Sequence, residues 1–172
     1  MPVSAGWFVL NGRDARWRHR EGRGQSLAFT GITHEELVAF FPQVGVNVSR
    51  LGPGEPMSMY HREDDQEDFL VLAGEALLIV EGEERPLRQW DFVHCPAGTE
   101  HTIVGAGEGP SLVVAVGSRV TVGTDEWGAY TVDEAAIRHG AGVDEETTDA
   151  GRAYARFPGA EPTAYRDGWL PG

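Results

Sequence analysis

QVGVNVSRLGPGEPMSMYHREDDQEDFLVLAGEALLIVEGEERPLRQWDFVHCPAGTEHTIVGAGEGPSLVVAVGSR, residues Gln43–Arg119, is the stretch that decides the fold. It opens with VGVNVSRL, in which apolar and polar residues alternate. That period of two is the signature of a half-buried strand. The turn GPGEP follows, and then the runs MSMYHRE, EDFLVLAG, EALLIVEG, RPLRQWDFVHCP, HTIVGAG and SLVVAVGSRV. Gly and Pro clusters separate them at short spacing. Many short strands joined by such turns predict a sandwich or barrel.

Outward from this core the pattern changes on both sides. On the N-terminal side, Gly6 to Leu10 reads as a short strand, and Asn11 to Gly24 as an Arg-rich polar surface loop or arm. Thr33 to Phe41 (THEELVAFF) predicts a short helix: Thr33 caps it with Glu36 three residues on, and Pro42 ends it. On the C-terminal side, Val132 to His139 predicts a helix stopped by Gly140, and Asp149 to Arg156 a second one. Pro158 to Gly172 reads as an extended tail, with Tyr165 and Trp169 to pack on the body or on a second subunit. No internal repeat or low-complexity linker divides the chain. At roughly 100–200 residues per domain, the 172 residues predict one domain with its own core. The core spans about 43–119, an N-terminal arm 1–42 and a C-terminal helical tail 120–172.

Composition narrows the partners. The net charge is −13, which disfavours DNA, RNA and anionic membrane surfaces. All 14 basic residues are Arg. Schiff-base and P-loop lysine chemistry is therefore excluded. Cys95 is the single cysteine, cannot form an intrachain disulfide, and fits a reducing cytoplasm. No 18-residue apolar run predicts a membrane span, and MPVSAGWFVLNG lacks the pattern of a secretory signal.

The densest set of potential metal ligands is His61-Arg62-Glu63-Asp64-Asp65-Gln66-Glu67. Residues two apart on a strand share a face, so His61 and Glu63 are expected to project together. Asp64 to Gln66 reads as a turn that brings Glu67 back beside them. Further on, the turn Pro96-Ala97-Gly98-Thr99-Glu100 delivers His101 onto another strand. Taken alone, the acidic run also reads as a solvated turn with an ordinary half-buried His. Arg62, alternating away, is expected to make an outer salt bridge.

These segments resemble the two motifs of the cupin family, G-x5-HxH-x3,4-E-x6-G and G-x5-PxG-xx-H-x3-N. The first reads GEPMSMYHREDDQEDFLVLAG (Gly54 to Gly74) and the second WDFVHCPAGTEHTIVG (Trp90 to Gly105). The spacing from Glu67 to Gly74 and the PAGTEH core match. The resemblance covers about Leu51 to Ser118. It departs from the pattern at Glu63, where the family has His, at Trp90, where it has Gly, and at Gly105, where it has Asn. Gly54 also stands one residue further from His61 than the pattern asks.

The resemblance implies an all-β fold, the cupin double-stranded β-helix or jelly-roll barrel, with a short N-terminal arm and a few peripheral C-terminal helices. It implies a divalent metal ion on His61, Glu67 and His101. Glu63 occupies the remaining ligand position with a different residue. Two imidazoles and two carboxylates suit Mn, Fe, Zn or Ni. The extra carboxylate lowers the charge of the site and with it the expected Lewis acidity. His94 and Tyr60 are secondary acid/base candidates. Strand alternation turns either His94 or Cys95 inward, and Cys95 reads as a small buried hydrophobe. Met57 and Met59 read as pocket wall or plain core.

The expected function is a metal-dependent enzyme acting on a small metabolite, of dioxygenase, isomerase or decarboxylase type. The alternatives are a non-catalytic barrel that binds or senses a small ligand, and a barrel that has lost its metal. A homodimer is expected from the resemblance and from the length of the arm and tail.

Overall fold

The computed structural model describes residues 9–29 and 43–171. The predicted helix at Thr33 to Phe41 lies outside them, as do residues 6–8 of the first predicted strand; Val9 and Leu10 are not in a strand. Twelve strands and two short helices are described. They are β1 (Trp17–His19), β2 (Gln25–Ala28), β3 (Val44–Leu51), β4 (His61–Glu63), β5 (Glu67–Ala73), β6 (Glu75–Val80), β7 (Glu83–Arg88), β8 (Phe92–Cys95), β9 (His101–Ala106), β10 (Ser111–Ser118), β11 (Gly128–Tyr130), α1 (Glu134–Arg138), α2 (Ala150–Ala153) and β12 (Glu161–Thr163).

The strands form two antiparallel sheets. One runs β12-β1-β2-β3-β10-β5-β8, the other β11-β4-β9-β6-β7. Side-chain alternation sorts the apolar residues. Phe69 and Val71 of β5, Ala76 and Leu78 of β6, Ile103 of β9 and Val113 of β10 meet Leu51, Leu87 and Cys95 between the sheets. Ile79 and Val104 point the other way, where Ala135 and Ala136 of α1 cover them together with Tyr60. On the outer face of the larger sheet, Trp17, Leu27, Val48 and Leu112 pack against Tyr165, Trp169 and Leu170 of the tail. Burial of one large apolar side chain such as Trp17 stabilises by roughly 1.5–3 kcal/mol, so the tail is part of the fold. Asp133 caps α1 by accepting from the Ala136 N–H at 2.8 Å, and Gly140 follows with φ +70°.

Four expectations change. The Arg-rich segment Asn11 to Gly24 is not all surface loop: it contains β1, which buries Trp17 completely between β2 and β12. The run MSMYHRE is strand only at His61–Glu63. The run RPLRQWDFVHCP is two strands in different sheets, β7 and β8. The C-terminal zone is not only helical, because β11 pairs with β4 and β12 with β1.

The chain changes sheets at Gln89–Asp91. Asp91 accepts from the Arg88 N–H at 2.9 Å, and Trp90 adopts φ +74°. This left-handed conformation costs a bulky L-residue roughly 1–2 kcal/mol and is where glycine fits. Trp90 is 68% exposed and recovers little by packing. Gly105 shows the converse constraint. A Cβ there would meet the Gly52 carbonyl oxygen at 2.1 Å, because the turn after β3 crosses directly over β9. Trp90→Gly is expected to raise the urea midpoint, with a net gain below about 1 kcal/mol after the entropic cost of glycine. A fall in the midpoint would mean that the indole is packed in solution.

Candidate metal centre and cavity

His61 and His101 face each other across the register of β4 and β9. Glu67 opens β5 on the opposite sheet. The side chains converge: the His61 Nε2 lies 3.4 Å and the His101 Nε2 3.2 Å from the Glu67 Oε2. One donor atom from each of the three falls within 4.8 Å of the others. Both imidazoles are buried, at 7% and 2% exposure.

The backbone sets the tautomer of both rings. His61 Nδ1 lies 2.8 Å from the Met59 carbonyl oxygen, and His101 Nδ1 lies 3.0 Å from that of Thr99. A carbonyl oxygen only accepts, so each Nδ1 donates, and each neutral ring turns the lone pair of Nε2 towards Glu67. Glu67 Oε2 and His101 Nε2 are buried without an aligned hydrogen-bond partner. Buried polar atoms without partners are costly. Two imidazole lone pairs converging on a carboxylate, with their other nitrogens held by carbonyls, is the donor set and outer support that a divalent ion requires. The residues therefore fit the metal expected of the fold.

The electrostatics agree with a demand for positive charge. Burial disfavours protonation of His61, but contact with Glu63 and Glu67 outweighs it and moves its pKa upward. Burial likewise opposes protonation of His101, and contacts with Cys95 and Glu67 reverse that. Burial would raise the Glu67 pKa; contact with His101 and His61 lowers it instead.

Glu63 stands apart. Its Oε1 is 3.6 Å from His61 Nε2, but it is not in the group of three. It lines the same cavity and is half-buried. Arg62 projects outward and donates to Asp64 at 3.1 Å, as alternation predicts.

Two candidates are corrected. His94 does not line the cavity. In the pairing of β8 with β5, Cys95 turns inward opposite Glu67, while His94 turns outward and meets Asp68 at 2.6 Å. Tyr60 is fully buried but on the far side of the smaller sheet, beside Ile79, Val104 and α1. Because residues before His61 are not in a strand, alternation does not apply to them. Met57 lines the cavity, whereas Met59 is buried with Tyr130, Val143 and Ala153.

The cavity measures about 460 Å³ and lies between the sheets, with His61, Glu63 and Glu67 in its wall. Phe69 packs against His101 at a ring separation of 5.3 Å. Tyr130 of β11 sits 5.9 Å from the His61 ring, and Tyr154 stands edge-on to it at 5.5 Å. Both tyrosines line the cavity. Burial, then the charge of the Tyr154 hydroxyl, push the Tyr130 pKa up, so its hydroxyl stays protonated. These tyrosines were not among the sequence candidates. They lie beyond both motifs in the sequence, and only the pairing of β11 with β4 brings Tyr130 to His61.

Residues 47–117 match the family model described as Cupin domain. This match and the two motifs agree with the observed barrel, and residues 47–117 form a cupin domain. No curated protein matches it. Among solved structures it is similar to a sugar phosphate isomerase of the cupin superfamily from Silicibacter pomeroyi, at 28% identity over 66% of this chain and 68% of that one, with a TM-score of 0.46. It is also similar to a protein from Acidithiobacillus ferrooxidans provisionally named a sugar phosphate isomerase, at 26% identity over 45% and 51%, with a TM-score of 0.44. A third is a DMSP lyase from Ruegeria pomeroyi, at 24% identity over 59% and 49%, with a TM-score of 0.47. The matched region spans from about half to two thirds of those chains.

The bend that aims Glu67 is tied down by Asp65. This buried carboxylate accepts from the Thr121 N–H and hydroxyl, both at 2.7 Å, and from the Ser118 hydroxyl at 3.0 Å. Burial alone would raise its pKa, but these bonds hold it below the usual carboxylate range. Asp65→Asn presents an amide to donors and is expected to cost about 2 kcal/mol in urea unfolding.

Proposed function

We propose that this protein is a metal-dependent enzyme acting on a small metabolite held in the barrel, with one divalent ion on His61, Glu67 and His101. The observation that carries the reading is the convergence of three donor atoms, two of them buried and without an aligned hydrogen bond, beside a cavity of about 460 Å³. Mn, Fe, Zn and Ni all suit the donor set. When bound, such an ion supplies Lewis acidity towards a carbonyl or a water molecule. The chain's own residues contribute the rest. Phe69 and Tyr130 keep the imidazoles in an apolar surround, and the Met59 and Thr99 carbonyls fix the orientation of the rings. Glu63 is the fourth ligand expected from its motif position, and its carboxylate beside His61 supports that role. Its extra charge would soften the Lewis acidity of the centre. The Tyr130 and Tyr154 hydroxyl-bearing rings stand together in the cavity wall, where a substrate oxygen would meet them.

A homodimer belongs to the same reading. Phe92, 64% exposed on the edge strand β8, offers an apolar surface for it. The single buried Cys95 supports a cytoplasmic setting. No helix among the described residues is long and apolar enough to cross a membrane.

Elemental analysis of the purified protein is expected to find one divalent ion per chain. Glu67→Ala and His101→Ala should lower metal affinity by more than the roughly 10- to 100-fold that outer-support changes cost, whereas Glu63→Gln should weaken binding less. A His101→Ala protein that keeps its ion at full affinity would overturn the assignment. Turnover of a metabolite that disappears in His101→Ala while the melting profile persists identifies an enzyme; ligand binding without turnover identifies a binding barrel. Size-exclusion chromatography with light scattering is expected to give twice the monomer mass, and a monomer mass at all concentrations would remove the dimer.

A further inference from the structure

The two imidazoles are oriented alike, but the carbonyls that orient them are held differently. Thr99 sits in a closed turn. Its N–H donates to the Pro96 carbonyl at 3.1 Å, and the Gly98 N–H donates to that of Glu63 at 2.7 Å. All of these residues lie within the span 47–117. Met59 precedes β4, lies in no strand and is fully buried. A buried N–H must be paired. The acceptor for Met59 is the hydroxyl of Tyr154, 3.1 Å away, at the C-terminal end of α2. The next N–H, that of Tyr60, donates to the Ala141 carbonyl at 2.7 Å. Both acceptors come from the C-terminal zone, outside the matched span.

Met59 therefore carries a hydrogen bond on each side of its Cα. Its N–H is taken by Tyr154, and its carbonyl takes the His61 Nδ1–H at 2.8 Å. The second bond fixes the ring relative to Met59; the first fixes Met59 relative to the barrel. Tyr154 is in turn held from three sides. Helix α2, capped by Asp149 accepting from the Gly151 N–H at 2.7 Å, carries its backbone. Tyr130 stands edge-on to its ring at 5.5 Å. The Arg23 guanidinium lies 4.3 Å over the ring and donates to the Met57 carbonyl. A guanidinium over an aromatic face is an attractive contact with a defined geometry. Arg23 thus joins the same two parts that the Tyr154 hydroxyl joins.

Resting on the metal-centre reading above, we propose that Tyr154 is a positioning residue for His61, acting through Met59, and that Arg23 holds the Tyr154 ring in place for that role. His101 has no equivalent and is set within the cupin span alone. The two imidazoles of one centre thereby answer to different parts of the chain. Loss of the Tyr154 hydroxyl releases Met59 and little else. Met57 and Ser58 stay anchored to β9, through the Met57 N–H on the Ile103 carbonyl at 2.8 Å and the Thr102 hydroxyl on the Ser58 carbonyl at 2.6 Å.

The test uses the full chain and Tyr154→Phe, which keeps the ring and removes the acceptor. The first readout needs no metal: solvent exchange of the two imidazole Nδ1–H protons, followed by nitrogen-15 NMR and assigned by their loss in His61→Gln and His101→Gln. In Tyr154→Phe the His61 proton should exchange about tenfold faster, the effect of weakening one buried hydrogen bond, and the His101 proton should be unchanged. The second readout is zinc affinity by chelator competition, which should fall about tenfold, the lower end of what outer partners of a ligating His contribute. Arg23→Gln should move the same proton in the same direction by less, and it carries the test if Tyr154→Phe does not fold. The proposal is overturned if the His61 proton is unmoved, or if both protons move equally, which is general loosening of the barrel. A wild type that binds no zinc while Tyr154→Phe still acts on His61 alone would refute the metal reading and keep the role of Tyr154. Zinc binding in the wild type with an unmoved His61 proton in both variants would do the reverse.

Discussion

The two hydrogen bonds from imidazole Nδ1 to a carbonyl two residues back constrain the rest of the site. His61 makes one to Met59 and His101 makes the other to Thr99. Neither bond depends on the other sheet, so each ring is oriented by its own segment independently of Glu67. With Nδ1 committed, the only free chemistry on each ring is at Nε2, and both Nε2 atoms face the same carboxylate. The pairing of β4 with β9 brings the rings to a centroid separation of 5.0 Å. The barrel then has to supply one acid from the opposite sheet, and Glu67 is held there by the bend at Asp65. A centre built this way is rigid because local backbone geometry, rather than long side-chain networks, fixes its donors.

How much of this could be read beforehand follows the range of the interactions. Glu67 and His101 were legible because a Pro/Gly turn and a short spacing are local facts. The inward turn of Cys95 follows from alternation, but alternation could not say which of His94 and Cys95 points inward. That choice depends on the register of β8 against β5, which local sequence does not encode. Tyr60 failed for a related reason. It precedes β4 and lies under α1, so its neighbour in sequence, His61, faces the other side of the sheet. Strand β1 was hidden because Arg16, Arg18 and His19 give its segment the composition of a loop; only Trp17 signals burial, and its aromatic partners Tyr165 and Trp169 are more than a hundred residues away in the tail.

Two departures from the family motifs show how position-specific constraints differ from residue preferences. Trp90 occupies a left-handed turn position suited to glycine, and the strain is tolerated because Asp91 caps the turn and the indole remains exposed. Gly105 replaces an amide side chain where the turn after β3 approaches too closely for any Cβ. The same turn hydrogen-bonds across it: the Gly54 N–H donates to the Gly105 carbonyl at 2.8 Å, and the Gly105 N–H donates to that of Glu55 at 2.9 Å. Close backbone packing has taken the place of a side-chain contact.

The same logic separates what the family match explains from what it does not. Residues 47–117 contain all the metal-centre residues. Yet Arg16, Arg18, Ser26, Tyr130, Tyr154 and Pro162, all outside that span, line the cavity. They are held there by contacts between the two ends of the chain. The Met59 N–H donates to the Tyr154 hydroxyl at 3.1 Å, and the Arg23 guanidinium lies 4.3 Å over the Tyr154 ring while donating to the Met57 carbonyl. Met57 and Met59 belong to the first motif, so the arm and the tail are bolted to the segment that carries His61. The cupin portion provides the donor atoms, and the non-cupin portions provide much of the wall that a substrate would touch. The His61–Glu67–His101 cluster and much of the cavity wall therefore come from different parts of the sequence, so the wall can change while the cluster is kept.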